Sequence, residues 1–432
     1  MDQTLFTNVR IFDGNAKKTY SGEVLLQGNL IQKVAKSPKK IKANGANVID
    51  GAGATLMPGL IEPHAHVCYV DGVALPEIGR IPPADHMVLA LENARVMLDA
   101  GFTGCFSAAG VGESKLRTEI ALRDAINSGK FPGPRLLAAS PEITSTAGLG
   151  DERKQHMYEE SVGLVADGPD EVRRACRMCV REGVDNLKIN ISGDEFVRQG
   201  HAQQLTYNDS EVAAAVEVAE MTGANIACHA RADQAVRMAL KHGINIIYHA
   251  DYANNKTLDM LEAKKKDVFL APAVGIVYTA AYEASDWGIT TEVAESMNML
   301  SKLENTYRVY REVRKRGIRA LPGGDYGFAF NPIGTNARDL EHFVNLFGYS
   351  PSEALIAATK LGGELMGMHL GQVKEGYLAD LLLVDGDPTH DVSILQDRDS
   401  FLAIMKDGTF HKAPDPDNLA ARRQIAAPAA AE

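Results

Sequence analysis

The chain is poor in several features that would direct its reading elsewhere. Five cysteines, an odd number scattered over 432 residues, make a disulfide framework improbable. No apolar run approaches the ~20 residues needed to cross a bilayer, and Met1-Asp2-Gln3-Thr4 offers neither a basic nor an apolar leader region. The expectation is a soluble chain, cytoplasmic as it stands and secreted or periplasmic if a leader has been removed. Basic residues are outnumbered, 45 against 56 acidic, and a net charge of −11 repels a phosphate backbone, which argues against nucleic acid as a partner. With 45% hydrophobic and 23% charged residues the composition is that of a globular protein with a large core, which rules out disorder and a collagen-like repeat.

What is present falls into three parts. Short strand-like runs over 5–12, 22–26, 30–34 and 47–50 are separated by turn residues such as Asp13-Gly14 and Gly28-Asn29. The same texture returns over 379–385, 401–406 and 409–411. Neither set alone covers a hydrophobic face, so both ends are expected to meet in one small β-sandwich, 1–57 plus 372–414. Residues 415–432 lack period and read as a loose tail without chemistry.

Between the ends, helical periods over 88–100, 116–128, 169–182, 210–222, 232–242, 257–264, 292–316 and 351–361 alternate with short apolar runs. Strands are expected at 60–64, 103–107, 135–139, 186–191, 225–229, 245–249, 268–271 and 319–322. Eight strand-then-helix units are what a (β/α)8 barrel, here 58–371, requires. Cys176 and Cys179 share one face of the 169–182 helix and are read as packing residues, since no second cysteine pair follows to complete a zinc tetrad.

In such a barrel the chemistry collects at the C-terminal strand ends, and there the chain carries metal-ligand residue types. His64 and His66 sit at i and i+2 of an extended segment, so both imidazoles face one way and can hold one ion, with zinc well suited. His229 and His249 end consecutive strands and can share a second ion. Each residue also has a bland reading: a lone histidine after a strand serves as a hydrogen-bonded loop residue, and Asp325 fits an Asx turn. Lys188 is the odd one, because an ammonium inside Leu187-Lys188-Ile189 must be neutral, paired or modified. All of them in barrel order at separate strand ends are far harder to explain by chance than any one.

Pro58-Gly59-Leu60-Ile61-Glu62-Pro63-His64-Ala65-His66, then Lys188, His229, His249 and Asp325, then Gly376-Tyr377-Leu378-Ala379-Asp380-Leu381, resembles the metal-dependent amidohydrolase superfamily over about residues 3 to 410. Gly101-Phe102-Thr103, the segment from Gly133 to Ala139 and the stretch from Asn331 to Asn345 are most similar to its Xaa-Pro dipeptidase and ochratoxin-hydrolysing amidase branch. The resemblance implies two divalent ions, zinc foremost: His64, His66 and Asp325 on one, His229 and His249 on the other, and Lys188 as a carbamate bridging both. It implies a metal-bridged hydroxide attacking an amide, with Asp325 as the catalytic group that takes the proton and passes it to the leaving amine. The substrates implied are dipeptides or N-acyl amino acids, ochratoxin-like phenylalanine amides among them, and the assembly a homo-oligomer, often an octamer.

One departure concerns substrate binding. Many relatives carry Gly-Gly-His-Gly after the third strand; here the stretch is Ser145 to Gly150, and Leu149 stands where that histidine would be, which suits a bulkier, more hydrophobic substrate. Arg231, two residues after His229, is a candidate for a substrate carboxylate, with surface pairing as the equal alternative. Two other classes are weighed against the amidase: a one-metal deaminase or cyclic-amide hydrolase, imidazolonepropionase-like, which needs no bridging lysine, and a non-enzymatic scaffold, which would have lost ligands.

Overall fold

Alternation of apolar side chains along the first strands sets the sheet of the chain ends. In the computed structural model, which describes residues 3–157, 159–196 and 201–426, Leu5 and Leu25 turn to one face while Phe6, Val24 and Leu26 turn to the other and join the larger core. Strands Gln3–Ile11, Tyr20–Gln27 and Leu30–Lys36 run antiparallel, while Thr55–Pro58 pairs parallel to the first and antiparallel to Leu381–Val384. With Asn47–Asp50, Phe401–Lys406 and Thr409–Lys412 they form one eight-stranded sheet built from both ends of the chain.

That unit is larger than expected: it comprises the described parts of residues 1–61, 97–104 and 349–432. Ser352 donates to the Lys17 carbonyl at 2.6 Å and Lys360 to the Asn15 side chain at 2.8 Å, which ties the helices after 350 to the sheet. The expectation of a loose tail from 415 is corrected, because Pro416–Ala426 is a helix. Proline suits its first turn, Leu419 is buried in the sheet core, and Arg422 pairs with Asp385. Among the side chains described, Leu419 is the apolar anchor, and one such position makes no period, so the helix left little trace in the pattern. Residues 427–432 of the expected tail lie outside the described residues.

The second unit, residues 62–96 and 105–348, holds parallel strands with helices between them. Six strands lie in the order Leu164–Val165, Ala139–Thr144, Asn186–Asn190, Asn225–Ala230, Ile246–His249, Phe269–Ala271; Arg135–Leu137 and the C-terminal parts of Leu60–Ala65 and Phe102–Ser107 belong to a second ladder. The expected third strand is thus split in two. Among the described residues the ladders do not close into one continuous barrel. Single parallel bridges, Gly110 to Pro141, Leu270 to Ala320 and Ala65 to Tyr326, stand where continuous pairing was expected. The eighth strand fails as a ladder because Pro322 cannot donate and Gly323-Gly324 has no side chains to pack.

Helices follow their sequence signals closely where caps are strong. Asn208 and Glu211 form a capping box at the start of Asp209–Thr222, and Gly223 takes the left-handed conformation (φ 74°) that ends it two residues before the next strand. The long helix expected over 292–316 is instead Thr291–Ser296 and Met299–Arg316, broken at Asn298 with φ 53°. Val274–Tyr282 is a helix that periodicity missed, since it is apolar nearly all round. Cys176 and Cys179 face inward on Gly168–Glu182, and all five cysteines are buried and free.

Candidate active site

Strand register brings the candidate residues together. Lys188 pairs with Glu142 across one strand boundary, Asn190 with His229 across the next, and Ala230 with His249 beyond that, so side chains of four strands meet at one end. His64 is the penultimate residue of the strand Leu60–Ala65, His66 follows it, and Asp325 follows the failed eighth strand. The Asp325 amide donates to the His64 carbonyl at 3.0 Å, which locks the two segments together. Gly323 permits the approach: a Cβ there would lie 2.9 Å from the Cβ of His64.

His64, His66 and Asp325 form a compact donor set, with one ligand atom of each within 4.8 Å of the others. Asp325 Oδ1 lies 2.9 Å from His66 Nε2 and 3.6 Å from His64 Nε2. On the far side of His64 the His249 ring is 5.1 Å away between centroids, and His229 is 4.3 Å from His249. Lys188, 1% exposed, points into the same cavity with its Nζ 3.8 Å from Glu142 and 4.8 Å over the Tyr248 ring. The cavity measures about 30 Å3, room for one or two water-sized species.

Electrostatics leave these groups in the protonation states a cation requires. Burial pushes the His64 and His249 imidazoles well below their ordinary range and His229 down to about 3, which disfavours the imidazolium form of each. Burial opposes ionisation of Asp325 as well, but His64 and His66 outweigh it and hold the carboxyl well below the usual carboxylate range. Among the described residues, both ring nitrogens of His64, Nδ1 of His249 and Oε2 of Glu142 are buried with no hydrogen-bond partner. Such orphaned donor atoms, gathered around one cavity, fit a divalent ion. Two site residues also sit in left-handed backbone, Asp325 at φ 62° and His249 at φ 75°, a strain of about 1–3 kcal/mol each that packing must overcome.

Supporting groups hold the rings in place, and sequence reasoning missed them. Tyr248 stacks on His64 with centroids 3.8 Å apart and donates to the Pro63 carbonyl at 3.0 Å. Tyr69 stacks on His66 at 4.0 Å, and His229 Nε2 contacts the Gly193 carbonyl at 3.0 Å. Glu142 is the main omission. Its signal was legible: a carboxylate inside the apolar run Ala138-Ala139-Ser140-Pro141-Glu142-Ile143.

Leu149 lines the cavity, and its carbonyl accepts from Asn190 at 2.9 Å. The expectation for Arg231 is corrected. Its side chain is fully buried rather than on the surface, with Nε on Asp194 and Nη1 on Asp251, so two buried carboxylates already match its charge. Asp194 is shared with Lys302 at 3.0 Å and lies 3.8 Å from His229, which makes Arg231 part of a frame behind the site.

Fold and site together define an α/β protein with a buried histidine and aspartate centre at the ends of parallel strands. The chain belongs to the amidohydrolase family, which its residues 55–410 match, and is a hydrolase of that superfamily. It is 25% identical to ochratoxinase of Aspergillus niger over 391 residues, 83% of this chain and 76% of that one. It is 24% identical to imidazolonepropionase of Ectopseudomonas mendocina (strain ymp), over 88% of this chain and 91% of that one. A solved Xaa-Pro dipeptidase with methionine bound in its active site superposes with a TM-score of 0.82 at 26% identity, covering 95% of this chain and all (100%) of the other. Among the described residues no helix is long and apolar enough to cross a membrane.

Proposed function

We propose that this chain hydrolyses the amide C–N bond of N-acyl amino acids or dipeptides, with ochratoxin-like phenylalanine amides within its range. The observation that carries the reading is the convergence of His64, His66, Lys188, His229, His249 and Asp325 on one buried cavity with unpartnered ring nitrogens. His64, His66 and Asp325 would hold one ion, His229 and His249 a second, zinc in both places, with Lys188 as a carbamate between them. A carbamate replaces the buried ammonium by an anion with two oxygens. Similarity to ochratoxinase and to an Xaa-Pro dipeptidase supports the bond type. The two ladders and their bridging pairs are read as one (β/α)8 barrel.

Divalent ions in such a site lower the pKa of water towards neutrality and polarise a carbonyl. Asp325, anionic and facing the cavity, accepts the proton of the attacking water and returns it to the leaving nitrogen. Leu149, Tyr69 and Phe328 make the walls apolar and keep bulk water out. The family resemblance further implies a homo-oligomer, up to an octamer, which light scattering measures directly.

Metal analysis combined with amine release from a panel of N-acyl amino acids and dipeptides tests the reading. About two zinc ions per chain and chelator-sensitive turnover are expected. Turnover that survives complete metal removal would falsify it. The similarity to imidazolonepropionase favours a second reading, a cyclic-amide hydrolase, which expects one ion and indifference to Lys188.

A further inference from the structure

Hydrolysis of an amide needs a partner for the carbonyl oxygen as well as a nucleophile, because attack turns that oxygen into an anion. The oxygen of the attacking water bonds to the carbonyl carbon, and the C=O pair moves onto the carbonyl oxygen. Collapse re-forms C=O as the C–N bond breaks, and the leaving nitrogen takes up the proton. An O–H or N–H aimed at the carbonyl oxygen binds it more strongly while it carries that charge, so such a donor lowers the barrier rather than only tightening binding.

The cavity wall offers few donors. Apart from the six residues proposed to hold ions, its lining consists of Glu142 and Asp194, which bring carboxyl oxygens, five apolar side chains, and Tyr69. Leu149 is among the apolar ones and brings no donor. Among the described lining residues that leaves the phenol O–H of Tyr69. Tyr69 is 2% exposed, and its hydroxyl is buried with no hydrogen-bond partner among the described residues. Buried hydroxyls are as a rule paired, so this one marks a place for an acceptor carried by an occupant of the cavity. The ring is held on two sides: it stacks on His66 with centroids 4.0 Å apart and 23° between planes, and it meets Phe328 edge-on at 5.3 Å. His66 Nε2 in turn faces Asp325 at 2.9 Å, so phenol, imidazole and proton-accepting carboxylate are packed in series.

We propose that Tyr69 is a catalytic residue: its hydroxyl donates a hydrogen bond to the scissile carbonyl oxygen and holds the oxyanion of the tetrahedral adduct while Asp325 relays the proton. This rests on the amide-hydrolase reading above and gives the ring that orients His66 a second task.

The zinc-loaded full chain is compared with Tyr69→Phe, which keeps the ring and removes one oxygen. Amine release from N-acetyl-L-phenylalanine and a dipeptide panel is followed alongside bound zinc. Calorimetry gives the affinities for L-phenylalanine and for its N-methylphosphonyl derivative, whose tetrahedral phosphorus carries anionic oxygens like that of the adduct. In Tyr69→Phe, kcat should fall ~10²-fold or more with KM little changed. Phosphonate affinity should fall by a similar factor and phenylalanine affinity by less than ~2-fold, with zinc content unchanged. Leu149→His in the Tyr69→Phe chain, which sets a different donor in the same wall, should recover at least ~10-fold of the lost kcat. A tyrosine that only orients His66 behaves differently: unchanged phosphonate affinity in Tyr69→Phe overturns the assignment, and so does a loss of kcat matched by a loss of zinc. Turnover by both chains at equal kcat also overturns it and leaves the amide-hydrolase reading intact. Loss of phosphonate affinity with no amide turnover by either chain supports the hydroxyl as an oxyanion donor and removes the amide-hydrolase reading instead.

Discussion

The two halves of the site solve the same problem differently. Around His64 and His66 the anion is already in place, since Asp325 touches His66 at 2.9 Å and the three donors stand within 4.8 Å. Around His229 and His249 the rings are as close, 4.3 Å between centroids, and the carboxylates described beside them, Asp194 and Glu142, each face a cation. Asp194, 3.8 Å from His229, is held by Arg231 and Lys302, and Glu142 faces Lys188 at 3.8 Å. In the proposed two-ion reading the first half is made from encoded side chains. The second would have a buried lysine where that reading calls for a bridging acid, and this is the physical case for a modified Lys188.

Breaking each half separately tests the contrast. The largest effects are expected from ligand removal: His64→Ala should reduce turnover to background with loss of bound metal while circular dichroism remains unchanged. Retained turnover with full metal content would sink the assignment of the first half. Lys188→Ala should lose the second half selectively, and short carboxylic acids at high concentration should restore part of the activity by supplying oxygens. A crystal showing an unmodified, unliganded Lys188 amine in active enzyme refutes the bridge.

Asp325→Asn comes next, because it keeps shape and one metal-binding oxygen but cannot accept the proton. We expect kcat to fall ~10²–10⁴-fold with KM and metal content little changed. Near-normal kcat would mean that another group moves the proton. The smallest effect should follow from the frame behind the second half. Asp194→Asn leaves Arg231 and Lys302 less well neutralised, so thermal unfolding should register a loss approaching ~3–5 kcal/mol. Zinc affinity, read by competition with a chelator, should weaken ~10–100-fold as His229 loses its support. An unchanged affinity would show that the Gly193 carbonyl alone orients that ring.

Much of the fold was readable because its signals are local. Capping at Asn208, a glycine at 223 and two-residue alternation at Leu5 and Phe6 act over a few positions and survive any tertiary context. The failures have the opposite character. Val274–Tyr282 is apolar nearly all round, so only its surroundings make it a helix, and Leu419 anchors the terminal helix against a core built from residues far away in the chain.

The site divides along the same line. The amino-acid order alone determined which residue types stand at the strand ends, because i and i+2 spacing and strand-terminal positions are properties of a short peptide. Tertiary structure alone decided their partners. Arg231 read equally as a surface residue or a carboxylate binder until Asp194 and Asp251 were found against it, 37 and 20 residues away in the chain. Glu142 acquires meaning only through a register that sets it opposite Lys188. Charges in a low-dielectric interior are governed by whichever opposite charge is nearest in space, and that distance is written in the fold rather than in the order of residues.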